Sequence, residues 1–120
     1  SQGLAQRADS LEEKIAEKSI QQTAEQYEQK IESRIENRHY RQAAQLIAEA
    51  KQGRAHQQDG QFRQQISKFE QQVEAAEEKA AELYQKSVAA YEAGQKEELQ
   101  KLLKELKAKY ENTEVYRKNL

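Results

Sequence analysis

One run of apolar positions constrains this chain more than any other feature. Phe62, Ile66, Phe69, Val73, Ala76, Ala80, Leu83, Ser87 and Ala90 follow one another at alternating steps of four and three without a break. In a helix with about 3.6 residues per turn, such spacing keeps every member on one narrow stripe, the seam of a coiled-coil-like helix. A helix from about Gln61 to Ala93 would be roughly 50 Å long at 1.5 Å per residue. Its seam must be covered by another helix, and Gly94 stands where a C-cap would end it.

The rest of the chain repeats the theme. Asp9-Ser10 before Leu11-Glu12-Glu13 reads as an N-cap with an acidic first turn, so a first long helix is expected to start near Ser10. Its apolar positions are Leu11, Ile15, Ile20, Ala24, Tyr27, Ile31 and Ile35; the step of five from Ile15 to Ile20 swings the stripe around the helix. Asn37-Arg38-His39 interrupts the pattern as a tight turn. Tyr40, Ala43, Ala44, Ile47 and Ala50 then restart it up to Gly53. Gly53 to Gly60 holds no large apolar residue and is expected to be a loop. After Gly94, Leu99, Leu102, Leu103, Leu106 and Tyr110 form a shorter stripe, and Asn112-Thr113 offer an N-cap for the last segment, Glu114 to Leu120.

These elements predict an all-α fold: a four-helix αα-hairpin array or irregular antiparallel bundle, with two long and two short helices. The two pairs span about residues 10–53 and 61–110 of a single domain covering residues 1–120. A shift of about 56 residues lays Ala43, Leu46, Ile47 and Ala50 over Leu99, Leu102, Leu103 and Leu106, and the Asn37-Arg38 turn over Ala93-Gly94. This has the form of an internal repeat of helix pairs.

Composition narrows the function. The chain has no proline and is rich in Ala, Glu, Gln, Lys, Arg and Leu, which cost least in helices. Only 36% of residues are hydrophobic, so burial must come from stripes rather than a wide core. With 20 basic against 21 acidic residues, overall charge implies neither nucleic acid nor an anionic membrane as partner. Clusters at Arg34, Arg38, His39 and Arg41 and at Lys101, Lys104, Lys107 and Lys109 lie among carboxylates and read as solvated faces. No cysteine is present and no apolar run is long enough for a transmembrane helix. The chain opens Ser-Gln-Gly rather than with Met and reads as a piece of a longer protein.

Catalytic or metal chemistry has little to work with. Two histidines, no thiol and no Gly-rich phosphate loop are available. Glu36 and His39 have the i, i+3 spacing of a carboxylate–imidazole metal pair, but di-metal bundles need a second copy that is absent. His56 and Asp59 fall in the expected loop and read as solvated. A non-enzyme without cofactors is therefore expected.

The segment Leu83-Tyr84, Ser87, Ala89-Ala90-Tyr91, Gly94-Gln95, Leu99, Leu103 and Leu106 resembles one tetratricopeptide repeat, with Ser87 at the small mid-helix position and Gly94 at the turn. In the first pair Ala43, Ile47 and Ala50, with Tyr40 after the turn, are similar to that family's second helix. Lys96 stands where its aromatic would be, and the signature Trp and closing Pro are absent. The same C-terminal segment resembles a microtubule-interacting-and-trafficking domain. Either resemblance implies a module that binds a peptide or helix rather than catalysing a reaction.

The candidate contact residues are Tyr84, Val88 and Tyr91, a second apolar edge beside the seam. In the resembled repeats this edge would line the concave groove; the alternative is that it widens the core face. A protein or peptide partner is expected. A self-associating coiled coil is the alternative role, because the seam from Phe62 to Val73 needs cover from the first long helix or from a second copy of the chain.

Overall fold

The computed structural model describes residues 2–120. They form six α-helices and no strand: α1 (Gln2–Glu36), α2 (Tyr40–Lys51), α3 (Arg54–Gln58), α4 (Gly60–Glu92), α5 (Lys96–Tyr110) and α6 (Glu114–Asn119). The molecule is a rod of 85 × 18 × 18 Å. The all-α class and the two long helices agree with the sequence, while α3 and α6 add two short helices to the expected four.

Helix α4 is the spine and packs against each of the other five helices. Its seam is the reason. Phe62, Ile66 and Phe69 are buried with Ala24 and Ile31 of α1, Ala43, Ile47 and Ala50 of α2, and Ala55 of α3. Burying an aromatic or branched aliphatic side chain of this kind contributes about 1.5–3 kcal/mol. Farther along, Ala80, Ser87 and Ala90 are buried where α5 packs, and α5 buries Leu102 and Leu106. The N-terminal half of α4 is thus covered within one chain, so an exposed Phe62–Val73 seam is no ground for a homodimer.

Two boundaries differ from expectation. Helix α1 runs unbroken from Gln2 through Asp9 and Ser10, which therefore cap nothing. Ala5, Gln6, Arg7 and Ala8 are good helix formers, and two less favourable residues do not stop a helix that already has its turns. The expected loop contains the single-turn α3, whose Ala55 is buried. Asp59 is not an idle loop residue. Its carboxylate accepts hydrogen bonds from the backbone N–H of Gln61 at 3.0 Å and of Phe62 at 3.2 Å, capping the start of α4.

The repeat suggested by the sequence is written in the backbone. At the end of α1, the N–H of Arg38 donates to Ile35 and that of His39 to Arg34; at the end of α4, Gly94 donates to Tyr91 and Gln95 to Ala90. Each member of the second set stands 56 residues after its counterpart. This is the Schellman closure, in which the residue past the helix adopts left-handed geometry, here φ 60° at Arg38 and φ 70° at Gly94. The contacts repeat too: α1 packs on α2 and α3 as α4 packs on α5 and α6.

The two units meet at a polar junction. The rings of Tyr40 and Tyr110 stack with centroids 6.5 Å apart, and Arg41 pairs with Glu114 at 3.0 Å. Hydrogen bonds from Arg117 and Arg41 hold the Glu114 carboxyl below the usual carboxylate range. Glu77 of α4 accepts from the backbone N–H of Glu114 and Val115, supplying α6 with an acidic N-terminal partner.

Candidate partner-binding surface

Tyr84, Val88 and Tyr91 lie on the last turns of α4, beside the strip sealed by α5. They are graded in exposure: Tyr84 is half-buried, Val88 is 38% exposed and Tyr91 is 73% exposed. The seam next to them needs no further cover. Ser87, the one polar member of that strip, is buried with its hydroxyl donating to the Leu83 carbonyl at 2.8 Å.

The repeat identifies what this edge corresponds to. A shift of 56 residues carries Tyr84, Val88 and Tyr91 back onto Glu28, Glu32 and Ile35 of α1. In the first unit that edge borders the entry of α4. Burial, then the nearby charge of Asp59, pushes the Glu28 carboxyl above its ordinary value. Between α1 and α2, Ala24, Ile31, Ala43 and Ile47 receive Phe62, Ile66 and Phe69 of α4. The rim of that contact is closed by an ion pair between Lys51 of α2 and Glu70 of α4 at 2.8 Å.

Under the same shift the receiving residues become Ala80 and Ser87 of α4 and Leu99 and Leu103 of α5 in the second unit. Ala80 and Ser87 are already buried, so the part of this surface left uncovered is Leu99 and Leu103 with Leu83 and the flanking edge Tyr84, Val88 and Tyr91. Lys107 stands in the register of Lys51. Among the described residues nothing occupies this surface as α4 occupies the first. Leu83, Leu99 and Leu103 are half-buried rather than sealed. Where Tyr91 meets Leu99 beneath the Gly94 turn there is a recess of about 230 Å³. Apolar side chains of Ala90, Tyr91 and Leu99 line this recess together with Gln95 and Lys96.

Other sequence-level candidates are dispersed. Glu36 ends α1 and His39 lies beyond the turn, so the two do not share a helical face. Among the described residues no group of three or more His, Cys, Asp or Glu is placed to hold a metal ion, and no helix is long and apolar enough to cross a membrane. Sequence reasoning misses Leu99 and Leu103 as contact residues, since their spacing gives only a buried stripe. It also misses Leu4, an exposed apolar residue on the N-terminal turns of α1.

No family model, curated protein or solved structure matches the chain.

Proposed function

We propose that this chain is a non-catalytic interaction module whose second helical unit binds an amphipathic helix across Tyr84, Val88, Tyr91, Leu99 and Leu103. One observation carries this reading: the equivalent surface of the first unit already holds such a helix, the N-terminal half of α4. The two units share their turn geometry, and Leu99 and Leu103, half-buried in the second, stand where Ala43 and Ile47 of the first lie against the α4 seam. The mode is helix-in-groove recognition, with anchors at heptad spacing entering between two antiparallel helices. Tyr91 suits the role of anchor, because an aromatic ring supplies large contact area with little rotamer entropy to lose.

The test uses a fluorescent peptide of residues 60–76, which carries the seam that fills the first groove. It should bind the intact protein, and Tyr91→Ala should weaken it by about 1–3 kcal/mol. Because Tyr91 is 73% exposed, the variant should melt where the parent does. Absence of binding, or equal affinity in the variant, overturns the proposal.

A further inference from the structure

We infer that the open groove takes the N-terminal stem of α1 from a second copy of this chain, joining molecules head to tail. This rests on the helix-binding reading above and names the partner. The stem, residues 2–15, projects about 20 Å beyond the turns on which α3 packs. Its apolar residues have no cover: Leu4 is 70% exposed, Leu11 60% and Ile15 61%.

The stem repeats the seam that docks inside the chain. Leu4, Ala8, Leu11 and Ile15 follow steps of four, three and four, as do Phe62, Ile66, Phe69 and Val73, each 58 residues later. Beyond Ile15 the repeat distance falls to 56, so α1 carries two additional residues between its stem and its core stripe. Two residues turn a helix by about 200°. The stem seam therefore faces away from its own body, where it cannot fold back but can enter another molecule.

The rim charges follow the same register. Glu70, which pairs with Lys51 inside the chain, corresponds to Glu12 of the stem, and Lys51 corresponds to Lys107 of the second unit. Seating the stem in the open groove brings Glu12 to the partner copy's Lys107 and reproduces that pair. Two stems zipped against each other would offer only four seam positions each, one of them alanine, whereas the groove contacts the seam from two helices at once. Stem and groove lie at opposite ends of an 85 Å rod, so the contact is heterologous and each added copy leaves one of each free.

Sedimentation equilibrium of the intact chain over a wide concentration range tests this. The wild type should grow past the dimer as concentration rises. Leu11→Asp in the stem and Tyr91→Asp in the groove should each give monomers whose helical body stays folded by circular dichroism, both sites being exposed. Mixed one to one, these variants should stop at a dimer, since only one working stem and one working groove remain. Glu12→Lys should weaken association about two- to fivefold, and adding Lys107→Glu should restore it. A wild type that stays monomeric overturns the inference. So does Leu11→Asp dissolving a dimer that Tyr91→Asp leaves intact, the signature of stem pairing with stem. If the wild type is monomeric while the residue 60–76 peptide still binds through Tyr91, self-assembly fails and helix binding stands; loss of both removes both.

Discussion

At the scale of single residues, the pair Arg38 and Gly94 shows how one turn is built from two unequal materials. Both have left-handed backbone geometry, which costs an L-residue about 1 kcal/mol and glycine almost nothing. Arg38→Gly should therefore raise stability by about 0.5–1 kcal/mol, and Gly94→Ala should lower it by a similar amount. A Cβ added at Gly94 meets nothing within 4 Å, so that loss would be purely conformational. Urea unfolding of both variants measures the two changes; equal stabilities would show that the turn does not carry this strain. The sequence announces Gly94 as a helix end, but an arginine in left-handed geometry carries no such mark. The shift of about 56 residues lays Arg38 over Gly94, but that the arginine shares the left-handed geometry of the glycine is seen only in the backbone.

At the scale of elements, the unbroken seam of α4 is readable because alternating steps of four and three admit one structure. Phe69 lies in the middle of it, 4% exposed, against the three helices of the first unit. Phe69→Ala should cost about 3–5 kcal/mol, read from chemical denaturation; a loss below about 1 kcal/mol would mean the surrounding helices do not close on that ring. The start of α1 is misleading for a physical reason. Asp9-Ser10 followed by two glutamates has the composition of a cap, yet cap residues fit within a helix when their neighbours favour it. The short α3 is hidden because a five-residue helix between Gly53 and Gly60 is too short to show a period. For the proposed binding surface, the edge Tyr84–Val88–Tyr91 is visible as spacing, but its exposure is not. That depends on which flank of α4 the helix α5 takes, a choice made by tertiary packing.

At the scale of the whole molecule, α1 is two things joined end to end: a packed helix from Ile20 onward and a stem whose backbone is held only by its own hydrogen bonds. Isolated helices of this length are marginal in water. The stem should open locally far more often than the body, and proteases cut the opened form. Arg7 and Lys14 lie on the stem and Lys18 just after it, all three exposed. Brief digestion with trypsin should therefore cleave at these three positions first and leave a resistant fragment beginning at Ser19, identified by mass. Equal rates at Lys30 or Lys68 would show that the stem is as well held as the body. The two extra residues of α1 thus mark a seam of a different sort, where a cell that clips the chain would detach its connector and leave behind a capped, non-propagating remnant.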